Sequence, residues 1–192
     1  MDKLIAQVIV AVVLPVAAFV LGGWLMSQVV DREYLLNRLS TASAADSKPL
    51  GQRLTYDADA VRRHWAALDQ RGREVARQLL EIDLVYPCLY GGALIFSLAI
   101  GWWILGSPLN FFWVAAPVLV TMFADWCENL VQLSQLGRYE RIGPGALEPQ
   151  WIRIASLATT LKLSFVAISG LLLLILLIVI LIRGFTGTTS NY

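Results

Sequence analysis

The chain has 192 residues, of which 57% are hydrophobic, and a formal net charge of +1 at pH 7. Together with a mean hydropathy of +0.64, this composition excludes a disordered chain and an ordinary soluble domain. The small net charge gives no electrostatic reason to expect a nucleic-acid partner. The sequence therefore predicts an integral membrane protein whose first partner is the lipid bilayer.

Four apolar segments are long enough to cross the roughly 30 Å hydrocarbon layer as helices. They lie at about residues 4–30, 79–105, 109–136 and 154–182. A signal peptide is the alternative for the first segment, because Ala42-Ser43-Ala44 resembles a cleavage site, but the apolar run is too long and too distant for that. The short uncharged connection at 106–110 predicts an antiparallel hairpin of the second and third spans. We therefore expect a single all-α polytopic membrane domain over residues 1–192.

A polar region separates the first two spans and contains one amphipathic helix, at about 56–78. Apolar residues recur there at alternating steps of four and three, and Gly72 suggests a bend. The other faces carry five arginines: Arg62, Arg63, Arg71, Arg73 and Arg77. This pattern is typical of a helix that lies on an anionic membrane surface. Packing against the protein's own loops is the alternative.

Basic residues are concentrated in two of the three connections between spans. Nine Lys and Arg residues lie within 31–78, and Arg138 and Arg141 follow the third span, whereas 106–110 contains none. The positive-inside rule then predicts these two connections in the cytoplasm. Both termini are accordingly expected in the periplasm of a bacterial inner membrane.

The third span carries two acids and a carboxamide. Asp125, Glu128 and Asn129 stand at i, i+3 and i+4, so they share one helix face. A charge inside a membrane normally finds a partner or water, and Lys162 of the fourth span is the expected partner. The candidate polar cluster, near the cytoplasmic ends of the helices, comprises Asp83, Tyr86, Tyr90, Asp125, Glu128, Asn129 and Lys162.

Three kinds of function are compatible with this cluster. In a non-enzymatic protein the cluster can hold the helices together. The partner of such a protein would be another membrane protein, an anionic lipid headgroup or a small lipidic ligand. The cluster can provide Asp125 or Glu128 as the general base of an enzyme acting on a lipid headgroup. It can also serve a small proton- or cation-coupled transporter. The non-enzymatic interpretation leads, since the sequence contains no phosphate loop or nucleophile elbow.

The single histidine, His64, lies beside Arg63 and Trp65 and is expected at the surface. The two cysteines are distant in sequence, without the spacing of a metal motif. With so few soft ligands, neither a metal site nor a cofactor is expected.

Several short motifs between residues 54 and 165 occur together in this chain. They are Leu54-Thr55-Tyr56, Leu68-Asp69-Gln70-Arg71-Gly72-Arg73, Asp83-Leu84-Val85-Tyr86-Pro87 with Tyr90, Asp125-x-x-Glu128-Asn129, and Lys162. In these motifs the chain resembles a group of small bacterial four-span membrane proteins that carry a D-x-x-E-N third helix. The resemblance implies the four-span layout and the same candidate residues, and it implies no activity.

Overall fold

The structure is a computed structural model, and it describes Ile9, Val13, residues 16–18, 20–24, 34–35, 49–106 and 110–188, with side chains as far as Ile182. Within this part of the chain the regular secondary structure is helical, without strands. The helices that matter here are α1 (Ala58–Ala67), α2 (Gln70–Ile82), α3 (Tyr86–Leu105), α4 (Phe111–Ile142) and α5 (Pro149–Thr188).

Three helical stretches are long and apolar enough to cross a membrane. They are Gln70–Leu105, which joins α2 and α3, Phe111–Ile142 and Pro149–Ile182. The predicted first span at 4–30 falls largely outside the described residues, so four spans stay a prediction. Those residues of it that are described, from Ile9 to Trp24, are helical.

The turn between α3 and α4 is built from two end signals. Gly106 ends α3 in the left-handed conformation, with φ of 57°, where a residue without Cβ is least strained. Asn110 begins α4, and its side chain accepts a hydrogen bond from Phe112 N over 2.9 Å. These caps satisfy backbone groups that apolar surroundings would leave unpaired.

The amphipathic segment forms two helices. The prediction of a bend at Gly72 is wrong, because α2 continues through this residue. The chain leaves helical geometry at Leu68, and Asp69 starts α2 by accepting a hydrogen bond from Gly72 N over 2.8 Å. A Cβ on Gly72 would lie 3.1 Å from Asp69 Oδ1 and 3.3 Å from Leu68 Cβ. The glycine therefore lets the N-terminal cap of α2 pack closely and does not bend the helix.

The C-terminal half of α4 extends into a second helical layer, which we call the cap. The cap comprises α1, α2, the end of α4 and the start of α5. The 32 residues of α4 correspond to a length of about 48 Å, well beyond the roughly 30 Å of hydrocarbon. The core of the cap contains Leu35, Leu50, Tyr56, Val61, Trp65, Leu68, Val75, Ala76, Leu136, Leu147, Ile152 and Ala155. The apolar face of the amphipathic segment is thus buried against this protein's own helices.

A separate apolar core holds the spans together. Its buried residues are Tyr90, Leu94, Leu98 and Val118. Gly91 brings α3 close to α4, since a Cβ there would lie 2.2 Å from Met122 Sδ. Small residues allow such close contacts between helices in a membrane, where association depends on van der Waals packing.

Two adjacent glycines test how the N-terminal residues pack on α3. A Cβ on Gly22 would lie 2.1 Å from Cε2 of Tyr86, whereas a Cβ on Gly23 meets nothing within 4 Å. We expect Gly22→Ala to lower the free energy of unfolding by about 1–3 kcal/mol, because an aromatic ring must move. Gly23→Ala should leave it unchanged or raise it slightly. Thermal unfolding in detergent measures both, and equal effects would contradict this packing.

Candidate functional site

One face of α4 forms the centre of the candidate site. Asp125, Glu128 and Asn129 are 4%, 0% and 2% exposed, so their polar atoms are removed from lipid and water alike. Thr121 and Gln132 lie on the same buried face, one turn to either side. Buried carboxylates require a counter-charge and hydrogen-bond donors.

Lys162 of α5 supplies the counter-charge. Its Nζ donates a hydrogen bond to Asp125 Oδ1 over 2.9 Å. The same Nζ lies 2.6 Å from Oε2 of Glu128 and forms a second ion pair there. Two carboxylates facing one ammonium leave one negative charge in excess when both acids are ionised.

Two side chains of α4 donate hydrogen bonds to backbone carbonyls in the turn between α2 and α3. Pro87 has no N–H, so the carbonyl of Asp83 lacks its helical donor, and Asn129 Nδ2 donates to it over 3.1 Å. The next carbonyl, of Leu84, accepts a hydrogen bond from Trp126 Nε1 over 2.7 Å. A helix interrupted at membrane depth is tolerated where neighbouring side chains complete its hydrogen bonds.

Both predicted tyrosines lie at this junction. The hydroxyl of Tyr90 donates to Asp125 Oδ2 over 3.0 Å. The ring of Tyr86 packs edge-on against Tyr90, with 5.4 Å between centroids, and its other side approaches Gly22. Asp125 therefore receives hydrogen bonds from α3, α4 and α5.

Residues just before α1 close the cluster from the cap side. Gln132 Nε2 donates to Glu128 Oε1 over 2.9 Å and to the hydroxyl of Tyr56 over 3.1 Å. The backbone of Gly51 also lies against this pair, since a Cβ there would be 3.2 Å from Glu128 Oε1. Burial, and then the Glu128 carboxylate, raise the pKa of Tyr56 above its ordinary value, so its hydroxyl stays protonated.

Sequence reasoning did not select Tyr56, Gly51 or Trp126 as site residues. Tyr56 and Gly51 lie in an irregular segment without periodicity, which gives no signal of long-range contact. Trp126 could have been found, because an indole N–H in an apolar helix needs an acceptor and Pro87 interrupts the backbone hydrogen bonds of the neighbouring span.

The lengths of the helices allow the cluster to lie towards one edge of a hydrocarbon layer. Counting about 1.5 Å per residue from Phe111, Asp125 lies about 21 Å and Glu128 about 26 Å along α4, within a layer of roughly 30 Å. On α5, the uncharged residues between Lys162 and Ile182 span about 30 Å by themselves. The charges on both helices can therefore lie near the same headgroup level.

A cavity of about 300 Å³ adjoins the cluster on the cap side. The polar residues of its wall are Gln52, His64, Asp83, Tyr86, Asn129, Gln132 and Lys162. Apolar side chains of the cap form most of the remaining wall. The carboxylates of Asp125 and Glu128 are enclosed behind this wall, whereas Asp83 is half-buried at the cavity.

His64 is buried, at 5% exposure, so the expectation of a surface position is wrong. It lies on the inward face of α1 together with Val61 and Trp65, and Nη2 of Arg53 is 3.5 Å from its Nδ1. Within the part of the chain that the structure describes, no group of three or more His, Cys, Asp and Glu could hold a metal ion.

The five arginines predicted to face a membrane surface all have contacts within the chain. Arg62 pairs with an acid one turn earlier, and Arg77 pairs with an acid of α4. Arg73 donates to the carbonyl that ends α1, Arg71 lies 4.4 Å above the ring of Tyr34, and Arg63 is exposed but also has a contact. These contacts favour packing against the protein's own cap, and a membrane-surface role stays a prediction.

The chain matches no protein-family model, no curated protein and no solved structure.

Proposed function

We propose that this chain is a non-enzymatic inner-membrane protein that binds a small or lipidic amphiphile in the cavity beside the acid–lysine cluster. The observation that carries the proposal is a cavity of about 300 Å³, a volume at the lower end of ligand pockets. Its wall combines apolar side chains with a few polar groups, which is the composition of a site that orients an amphiphile.

The position of the acids favours binding over an enzyme acting on a lipid headgroup. A general base must come within hydrogen-bond reach of the proton that it removes. Asp125 and Glu128 are 4% and 0% exposed and already face Lys162. The same ion pairs count against a proton- or cation-coupled transporter, because the carboxylates are committed to an internal ammonium.

The proposed location of the cap follows from the Lys and Arg residues in the connections between the spans. The excess of Lys and Arg between residues 31 and 78, and again at the end of α4, favours a cytoplasmic cap. The cavity then lies near the inner leaflet, where both phospholipid headgroups and soluble cytoplasmic amphiphiles can reach it. The cluster itself joins α3, α4, α5 and the cap, so it also stabilises the wall of the cavity.

A cavity-filling substitution tests the proposal. Ala76 lines the cavity and is buried, so Ala76→Phe places a ring in the space proposed for the ligand. Native mass spectrometry of detergent-purified protein, titrated with phosphatidylethanolamine and phosphatidylglycerol of identical acyl chains, measures retained lipid. We expect the wild-type protein to retain one or more lipids and Ala76→Phe to lose at least one of them.

Ala66→Phe is the matched control, since Ala66 is exposed on α1. It should retain lipid as the wild-type protein does, with the same unfolding temperature. Equal retention by the two phenylalanine variants would overturn the proposed function, and so would a wild-type protein that neither retains lipid nor shows a shift in unfolding temperature with a soluble amphiphile.

A further inference from the structure

Two carboxamides of the cavity wall already use their N–H groups within the protein. Asn129 uses Nδ2 to donate to the carbonyl of Asp83 and to Asp125 Oδ1, at 3.1 and 3.4 Å. Gln132 uses Nε2 to donate to Tyr56 and Glu128. Because the amide nitrogens are directed at these partners, the carboxamide oxygens are the polar atoms left for the cavity.

The carboxylate of Asp83 adds a negative charge to this wall. Among the described residues, Asp83 forms no ion pair, and Lys162 is engaged by the two acids of α4. Three acids, Asp83 at the wall and the two carboxylates enclosed behind it, thus lie near one lysine. In poorly solvated surroundings an excess of negative charge favours the binding of a cation.

The wall also contains a basic neighbour on its cap side. Arg53 contacts His64, and His64 lines the cavity. The cavity therefore has an acidic group at the α2–α3 turn and the contact between Arg53 and His64 on the cap side.

We infer that the cavity binds the primary ammonium group of an amphiphile, with Asp83 as its anchoring acid. This inference rests on the proposed function and names its ligand class. A primary ammonium carries three N–H donors, which match the Asp83 carboxylate and the carboxamide oxygens of Asn129 and Gln132. Leu79 and Leu80 line the same cavity and provide apolar contact for the rest of the molecule.

The ammonium can come from a phospholipid headgroup or from a soluble amine, and the probes separate these sources. Phosphatidylethanolamine and phosphatidylcholine of identical acyl chains both carry a phosphate and a cation, but only the first has N–H donors. Phosphatidylglycerol lacks the cation. Ethanolamine carries the ammonium without acyl chains. Lipid retention by native mass spectrometry and the shift in unfolding temperature are measured for each probe with the full-length protein.

The wild-type protein should retain phosphatidylethanolamine at least about tenfold better than either other lipid, because the ammonium donates hydrogen bonds to a charged acceptor. Asp83→Asn should remove this preference. Glu81→Gln is the matched control, since Glu81 is an exposed acid on the same helix, and it should keep the preference. A shift in unfolding temperature with ethanolamine alone supports the ammonium site and identifies a soluble source.

The two proposals fail in different ways. Retention of all three lipids equally, or preference for phosphatidylglycerol, overturns the ammonium inference while lipid binding stands. Asp83→Asn with an unchanged preference also overturns it. The headgroup comparison in the wild-type protein needs no substitution, so it decides the matter even where Asp83→Asn is unstable. A wild-type protein that retains no lipid and shows no shift in unfolding temperature with ethanolamine overturns the proposed function, and this inference with it.

Discussion

Replacing Lys162 by Met is expected to lower the free energy of unfolding by about 3–5 kcal/mol, because removing one partner of a buried ion pair leaves the other uncompensated. Asp125 and Glu128 both face this ammonium, at 2.9 and 2.6 Å, with side chains that are 5% and 0% exposed. In the variant, two carboxylates a turn apart on α4 repel each other without a cation. The fall in unfolding temperature in detergent measures the effect.

Two further variants separate charge balance from packing at this site. Glu128→Gln removes the excess negative charge, so its cost should be much smaller than that of Lys162→Met. The double variant, Lys162→Met with Glu128→Gln, should be more stable than Lys162→Met alone because one carboxylate is gone. Arg153→Met removes an exposed cation from the same helix and should have little effect. If Glu128→Gln costs as much as Lys162→Met, charge balance does not explain the cluster.

Leu136→Ala is expected to cost about 2–5 kcal/mol, because a fully buried leucine leaves a cavity that its neighbours fill only in part. Leu136 is 0% exposed in the core of the cap. Since it lies beyond the roughly 30 Å that α4 needs to cross the hydrocarbon layer, the expected loss includes the hydrophobic effect of burial from water. Thermal or denaturant unfolding in detergent measures it.

Leu130 provides the comparison on the same helix. It is 56% exposed, so Leu130→Ala should change stability by only a few tenths of a kcal/mol, as surface substitutions do. Equal effects at the two positions would show that the end of α4 is not packed in a cap. That result would also remove one wall of the cavity on which the proposed function depends.

The cluster shows why the sequence could select residues without specifying their contacts. Asp125, Glu128 and Asn129 share a face because helical periodicity places positions three and four apart on one side, and an acid in an apolar helix calls for a partner. The same reasoning could not reveal that Asn129 completes the hydrogen bonds of another helix. That role arises because Pro87 removes the helical donor of the Asp83 carbonyl, and Asp83 lies 46 residues before Asn129 in the sequence.

In the amphipathic segment, the sequence predicted the helical structure but not what the apolar face contacts. Its apolar periodicity correctly indicates helix, yet a periodic apolar face is the same whether it meets lipid or protein. The structure buries that face in the cap with Val61 and Trp65, and His64 is buried with them. Propensity also favoured Gly72 as the point of bending, but the side chain of Asp69 provided the stronger local signal by capping a new helix.

By itself the sequence determined the all-helical character, the long apolar helices and the helix face that carries the acids, because hydropathy and spacing along one helix are local properties of the chain. The tertiary structure alone decided that Lys162 faces both acids, that Tyr56 reaches Gln132 from 76 residues away, and that Asp83 lines a cavity from which Asp125 and Glu128 are screened. These arrangements depend on how α2, α3, α4 and α5 pack and on which backbone groups the packing leaves to be satisfied, and neither is encoded in any single segment.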